Sequence, residues 1–151
     1  MIWIQIPMKQ IETEVLINAN PERVWQVLTD FESHSRWNPF IQSIKGEKSV
    51  GKKLTVTLKP SDGNGMTFKP RILTFEPGKE FRWKGKLGVK GIFDGEHYFI
   101  LEEKSENQTR FIHGEKFSGI LVAFLERVLN KTKVGFNLMN DSIKRECEKV
   151  N

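Results

Sequence analysis

Residues 119–150 read GILVAFLERVLNKTKVGFNLMNDSIKRECEKV. Every third or fourth position of this stretch is apolar or small, which is the period of an α-helix, and most of the other positions are charged or amide side chains. The pattern predicts one long amphipathic helix whose apolar face needs a partner. The predicted apolar face contains Leu121, Leu125, Val128, Thr132, Phe136, Met139, Ile143, Cys147 and Val150.

The partner of this helix is predicted to be a sheet, because the upstream sequence mostly alternates with a period of two. Asn20-Pro21 predicts the start of a short helix, and a second short helix is expected to end at Asn38, before Pro39. Tight turns make the sheet antiparallel, and a long sheet curls. We therefore predict an α+β fold in which a curved sheet of about seven strands wraps around the C-terminal helix. The strands are expected over 11–17, 41–48, 53–58, 66–76, 80–87, 92–103 and 109–118.

The composition of the 151 residues favours one domain over 1–151 with a mildly basic surface, since 24 Lys and Arg face 19 Asp and Glu. The sequence has no concentrated basic tail, so we do not expect nucleic acid as a partner. Cys147 is the only cysteine, which excludes an intramolecular disulfide and a cysteine-based metal site. The apolar start lacks a basic segment and is too short for a signal peptide, so we expect a cytoplasmic protein. Residues 1–8 are interpreted as either a loose N-terminal extension or an upstream start.

Several local strings resemble one family. They are NANPERVW (18–25), WNPF (37–40), EPG (76–78), GEHYF (95–99) and TRFIHGE (109–115). Together with the element order, they resemble the polyketide cyclase/dehydrase-like (SRPBCC) branch of the START and birch-pollen-allergen superfamily, the helix-grip proteins. The resemblance covers the chain from Lys9 onward and implies a ligand cavity between the long helix and the sheet. The family includes ligand carriers, cyclases and chaperone activators.

Three polar residues are predicted to share the inner face of the last two strands. If the turn after Leu101 is centred near Ser105, His97 lies opposite His113, and Glu115 lies one diagonal away. Three interpretations stay open. They are a mutually satisfied buried polar pair, which we favour; an acid–base group acting on a ligand; and, as the least favoured, a metal site of two His and one Glu. No metal and no other cofactor is predicted.

Inward aromatic side chains predict either a filled core or an apolar pocket, and Gly85 and Gly95 at inward positions favour space for a pocket. The residues predicted to contact a ligand are Trp37, Phe68, Ile72, Phe81, Trp83, His97, Phe99, Phe111, His113, Glu115, Phe117, Leu125, Phe136 and Met139.

The stretch from Trp37 to Phe40 has two interpretations. It is a lid with His34 or Arg36 at the rim of the cavity, or, as we favour, a plug in which Trp37 closes the end of the core. An outward basic row is interpreted as a solvated sheet face, with contact to anionic membrane lipid as the alternative. The row contains Arg82, Lys84, Lys86 and Lys90, with Lys69 and Arg71 beside it.

The sequence contains no phosphate loop, dinucleotide glycine pattern, nucleophile elbow or paired-cysteine motif. Those enzyme classes are therefore set aside. Our first hypothesis is a binding or carrier domain for a small hydrophobic or aromatic molecule, acting as a monomer or homodimer; enzymatic activity stays open and is the less favoured interpretation. One alternative is an acid–base enzyme of the polyketide cyclase or dehydratase type, with His113 and Glu115 as the working pair. The other is a chaperone- or membrane-associated adaptor that uses the outer sheet face.

Overall fold

The computed structural model describes residues 8–59, 65–86, 94–119, 122 and 126–150. Within these ranges the order of strand, two short helices, strands and long helix agrees with the prediction. The elements are β1 (Met8–Ile17), α1 (Pro21–Thr29), a 3₁₀ turn (Phe31–Ser33), α2 (His34–Trp37), β2 (Ile41–Gly46), β3 (Leu54–Leu58), β4 (Met66–Phe68), β5 (Arg71–Glu76), β6 (Glu80–Lys86), β7 (Asp94–Ser105), β8 (Gln108–Ser118) and α3 (Glu126–Cys147).

The strands form an antiparallel surface that curves around α3. A five-stranded sheet has the order β1-β8-β7-β6-β5, and a three-stranded sheet has the order β2-β3-β4. The core lies between the inner faces of these strands and the apolar face of α3. The helix-grip prediction is therefore confirmed.

The predicted start of α1 at Asn20-Pro21 and the predicted turn between β5 and β6 are both present in the structure. Asn20 Oδ1 accepts a hydrogen bond from the backbone N–H of Arg23 (2.8 Å), and Pro21 occupies the first turn of α1. Gly78 has a φ of +75° in the turn between β5 and β6. That left-handed conformation favours glycine, so the turn joins the two strands without strain.

The predicted strand over 66–76 is two strands, which makes eight strands in the described residues instead of seven. The break falls at Lys69 and Pro70. Proline has no backbone N–H to continue the ladder, whereas its carbonyl accepts a hydrogen bond from the N–H of Leu54 (2.8 Å). As a result β4 pairs with β3 and β5 pairs with β6.

The predicted register of the last hairpin is wrong: each residue of β7 lies opposite a residue two positions further along β8 than predicted. The turn consists of Glu106 and Asn107, and a bulge separates Glu103 from Ser105. His97 therefore lies opposite Glu115, and His113 lies opposite Phe99. Because the register moves by two residues, every side chain keeps its face. The three polar residues still share the inner face, with the two histidines now on a diagonal.

The long helix ends earlier than predicted at its C-terminus, and its described part begins at Glu126. The apolar face is buried at Phe136, Met139, Ile143 and Cys147, as predicted, whereas Val150 is exposed beyond the end of α3. Leu129, which the predicted face omits, is buried, and Val128 is 48% exposed. The predicted positions Leu121 and Leu125 lie outside the described residues.

At the N-terminus, Met8 already belongs to β1 and pairs with Ser118, so it is not part of an extension. Residues 1–7 lie outside the described residues. In the part of the chain that the structure describes, every helix is too short or too polar to cross a membrane.

Candidate functional site

A cavity of about 80 Å³ lies where β6, β7 and β8 meet the three-stranded sheet and the first turns of α3. Its wall is mostly apolar and aromatic. Met66 and Val128, both partly exposed, stand at its rim. The lining residues are Phe40, Leu58, Met66, Phe68, Trp83, Gly85, Gly95, His97, Glu115, Phe117, Val128 and Thr132.

Two glycines on neighbouring strands make room for this cavity. Gly85 and Gly95 lie opposite each other on β6 and β7. A Cβ atom on Gly95 would lie 2.6 Å from Oε1 of Glu115, and a Cβ atom on Gly85 would lie 3.3 Å from the ring of Phe68. The absence of these side chains lets Glu115 and Phe68 lean over the strands, in line with the prediction that the glycines leave space.

A third glycine brings Phe40 against the helix. A Cβ atom on Gly135 of α3 would lie 2.6 Å from Cδ2 of Phe40. The Phe40 ring contacts Phe136 edge-on (centroids 5.3 Å apart) and stacks beside His97 (6.5 Å). Glycine costs about 1 kcal/mol inside a helix, so Gly135 was the sequence signal that this helix has a close neighbour.

The polar side of the cavity continues into a chain of hydrogen bonds that crosses the core. Nε2 of His97 lies 2.8 Å from Nε2 of His113, and Nδ1 of His113 lies 2.9 Å from Oδ1 of Asn140. Asn140 donates from Nδ2 to Oγ1 of Thr13 (2.8 Å), and Thr13 donates to the backbone carbonyl of His113 (2.9 Å). The path joins the cavity wall to β1 through α3.

These ionisable groups are uncharged near neutral pH because they are buried. Burial lowers the pKa of His97 to about 3, and burial followed by the neighbouring His97 lowers the pKa of His113 well below its usual range. Burial also raises the pKa of Glu115 to about 8. Oε2 of Glu115 lies 3.6 Å from Nδ1 of His97, too far for a hydrogen bond. The pair is therefore a protonated carboxyl facing a neutral imidazole and not an ion pair.

Trp83 carries a further polar group in the cavity wall. Its indole ring stacks on His97 with centroids 4.8 Å apart. Its buried Nε1 has no hydrogen-bond partner among the described residues. Nε1 of Trp37, away from the cavity, is likewise buried without a partner among the described residues, so this feature does not single out the cavity wall.

Five of the predicted ligand contacts line the cavity, namely Phe68, Trp83, His97, Glu115 and Phe117. The others lie behind this wall or away from it. Ile72, Phe81, Phe99, Phe111, His113, Phe136 and Met139 are buried in the core without lining the cavity. Trp37 packs on His34 away from the cavity (centroids 4.8 Å apart), and Leu125 lies outside the described residues.

Seven lining residues are not among the predicted ligand contacts. Two of them, Gly85 and Gly95, were predicted to leave space, and the other five are Phe40, Leu58, Met66, Val128 and Thr132. The alternation of the strands and the helical period place Leu58, Met66, Val128 and Thr132 on apolar faces. The local sequence does not show which end of an apolar face borders a cavity. For Phe40, Gly135 was the available signal.

The stretch from Trp37 to Phe40 closes the core and does not form a lid rim with His34 or Arg36. His34 is buried, and its Nε2 donates to the carbonyl of Leu28 (2.7 Å). Oδ1 of Asn38 accepts hydrogen bonds from the backbone N–H groups of Phe40 and Ile41 (2.9 Å each). Arg36 is paired with Glu146. These contacts fix the turn that places the Phe40 ring beside the cavity.

The outer basic row is partly neutralised. Arg82 donates to Glu96 (2.9 Å) and pairs with Glu80, and its guanidinium lies over the ring of Tyr98. Lys69, Lys84 and Lys86 are exposed, and Arg71 donates to the carbonyl of Gly51. Lys90 lies outside the described residues.

The two histidines direct their Nε2 atoms at each other, so these atoms do not converge on a common metal position. Among the described residues no group of three or more His, Cys, Asp or Glu side chains is arranged to hold a metal ion.

Residues 8–137 match the family described as polyketide cyclase/dehydrase and lipid transport. The chain belongs to this family. No curated protein matches the sequence.

Solved structures of the family fold superpose over nearly the whole chain at low sequence identity. The aromatase/cyclase Zhui from Streptomyces sp. R1128 is 14% identical, with 94% of each chain covered and a TM-score of 0.76. Truncated norcoclaurine synthase from Thalictrum flavum is 13% identical over 100% of both chains, with a TM-score of 0.74. Ara h 8.0201 is 16% identical over 93% of this chain and 98% of that chain, with a TM-score of 0.71. At these identities the likeness shows a shared fold.

Proposed function

We propose that the chain, as one START-like domain, is a binding or carrier protein for a small hydrophobic or aromatic molecule held in the cavity beside α3. The proposal rests on the composition of the cavity wall. Aromatic and aliphatic side chains surround a space that has Glu115 and His97, both uncharged, on one side. Mostly apolar walls with a few convergent polar groups are typical of sites for small molecules.

The size of the cavity limits what it holds. At about 80 Å³ it is smaller than the roughly 300–1,000 Å³ typical of sites for drug-sized ligands. It is also smaller than the engineered cavity of about 150 Å³ that binds benzene. We infer that it takes a short alkyl end or part of one ring, with the rest of the ligand against the rim at Met66 and Val128.

Two structural relatives support an aromatic ligand. Norcoclaurine synthase from Thalictrum flavum has been solved in complex with dopamine and hydroxybenzaldehyde, which are small aromatic molecules. Zhui is an aromatase/cyclase. For the present chain, the aromatic lining of Phe40, Phe68 and Trp83 supports the same class of ligand.

The test is a search for the ligand in two steps. Organic extraction of the purified protein followed by mass spectrometry should release a bound apolar molecule. A thermal-shift screen with small aromatic and aliphatic compounds should find members that raise Tm, since a ligand at 100 times its Kd stabilises the native state by about 2.7 kcal/mol. An empty extract together with no stabilisation by any compound would contradict the proposal.

A second candidate function is acid–base catalysis, favoured by the protonated carboxyl of Glu115 facing the neutral His97. His97 and Glu115 line the cavity and His113 does not, so the working pair would be His97 and Glu115. For any compound from the screen that is turned over, Glu115→Gln should abolish turnover and leave its Kd nearly unchanged. Unchanged turnover would remove Glu115 from the mechanism.

A further inference from the structure

The hydrogen-bond chain behind the cavity has one consistent assignment of its hydrogens, and it begins at Thr13. The Thr13 hydroxyl has one hydrogen, and the His113 carbonyl 2.9 Å away can only accept it. Oγ1 of Thr13 must therefore accept from Asn140, so the amide nitrogen of Asn140 faces Thr13 (2.8 Å). The amide oxygen of Asn140 then faces Nδ1 of His113 (2.9 Å), and this ring nitrogen carries the hydrogen.

The tautomer of His113 also determines that of His97. A neutral imidazole has one N–H, so Nε2 of His113 is an unprotonated acceptor. Nε2 of His97, 2.8 Å away, must donate to it. His97 is also neutral, which leaves its Nδ1 without a hydrogen.

The other ring nitrogen of His97, Nδ1, is an acceptor that lies beside Glu115. His97 is 3% exposed, and its Nδ1 faces Glu115 across 3.6 Å. This contact is longer than a hydrogen bond, and a ligand oxygen that lies to the side of both atoms is able to bond to each of them.

We propose that His113, anchored by Asn140 and Thr13, is a positioning residue that holds His97 with an unprotonated Nδ1 at the cavity wall, so that the cavity selects apolar ligands carrying a hydroxyl group. The inference rests on the proposed function. A hydroxyl group donates to Nδ1 of His97 and accepts from the carboxyl of Glu115, which is protonated because its pKa is about 8. A ketone or an ether only accepts, and leaves Nδ1 unpaired.

The tautomers are tested directly by ¹⁵N NMR of the imidazole rings in the unmodified protein. The chain has three histidines, so the spectrum is assignable with single variants. We expect Nε2–H on His97 and Nδ1–H on His113. A His97 ring that carries its hydrogen on Nδ1, or a charged ring at pH 7, would overturn the inference without bearing on whether the cavity binds a ligand.

Ligand selection is tested with two probes of similar shape, 4-propylphenol and 1-fluoro-4-propylbenzene, by isothermal titration calorimetry at pH 6.5. The phenol donates a hydrogen bond and the fluoro compound does not. We expect the phenol to bind about tenfold more tightly, because the fluoro compound leaves Nδ1 of His97 unpaired. Equal affinities would overturn the inference and leave the proposed function standing. Binding of neither probe would also overturn the inference, while the ligand search decides the proposed function separately.

The remote role of His113 is tested by the double variant His113→Phe with Asn140→Leu. It replaces both polar partners by apolar groups, so no buried amide is left without a partner. His113 does not line the cavity. We nevertheless expect the affinity ratio of the two probes to fall to within twofold and the His97 spectrum to show both tautomers. A ratio that stays near tenfold would overturn the positioning role. If this variant does not fold, the NMR and probe measurements on the unmodified protein still decide the inference.

Discussion

Replacing Phe136 with alanine should lower the free energy of unfolding by about 3–5 kcal/mol. The ring is fully buried and stacks on His113 with centroids 4.0 Å apart, and it contacts Phe40 and His97 edge-on. Truncation would leave a void between α3 and the polar chain that runs to Asn140. Urea denaturation followed by circular dichroism measures the loss.

The matched control is Leu138→Ala on the same helix. Leu138 is 52% exposed, so its truncation removes little buried surface and should change stability by about 0.5 kcal/mol or less. A Phe136→Ala protein as stable as the Leu138→Ala protein would mean that Phe136 does not pack as described.

Glu115 alone should lower stability by about 1.6 kcal/mol between pH 6.5 and pH 8, and the three buried histidines should offset part of this fall, since the unfolded chain still loses their protons above pH 6.5. In the unfolded chain this carboxyl ionises near its usual pKa of 4.5, whereas in the folded protein its pKa is about 8. The folded state therefore holds one more proton across this interval. Raising the pH favours the state with fewer protons, which is the unfolded one.

On the acid side, stability should instead rise as the pH is raised. Burial lowers the pKa values of His34, His97 and His113 in the folded protein. As the pH falls, the unfolded chain takes up a proton at each of these three histidines. The folded state holds only one extra proton, on Glu115, so the unfolded state comes to bind more protons. Stability should therefore decline on the acid side as well, with a maximum near pH 7 for these groups.

Glu115→Gln isolates the alkaline decline. Glutamine does not titrate, and its amide group is able to donate towards Nδ1 of His97, so the variant should fold and lose the decline of about 1.6 kcal/mol that Glu115 contributes between pH 6.5 and 8. The exposed Glu103 on the same sheet supplies the control, since Glu103→Gln should keep the decline. Urea denaturation at the two pH values measures both. Equal declines in the two variants would show that Glu115 does not hold a proton in the folded state.

Local chemistry was enough to predict most of the elements. The Asn20 cap, the turn at Gly78 and the alternation along β6, β7 and β8 each act within a few residues of sequence. The register of the last hairpin was not predictable in the same way. It depends on a two-residue turn and a bulge near Glu103, and both are compatible with the same alternation.

The candidate site was only half predictable because alternation gives the face of a strand and not the depth along it. Phe117 and Phe111 share the inner face of β8, yet Phe117 borders the cavity and Phe111 is in the filled core. Phe40 was missed because its place depends on contact with Gly135, nearly a hundred residues away in the chain. Gly85 and Gly95 were informative because an absent side chain leaves space whatever the register.

The claim that an apolar molecule occupies the cavity is tested most directly by closing its mouth. Val128 stands at the rim and is 48% exposed, so Val128→Trp should place an indole over the opening without disturbing the core. Val134, which is 60% exposed on the same helix and does not line the cavity, supplies the control Val134→Trp. The measurement is the Kd of 4-propylphenol by isothermal titration calorimetry. We predict at least about tenfold weaker binding for Val128→Trp and a change within twofold for Val134→Trp. Binding by Val128→Trp as tight as that of the unmodified protein would contradict the account.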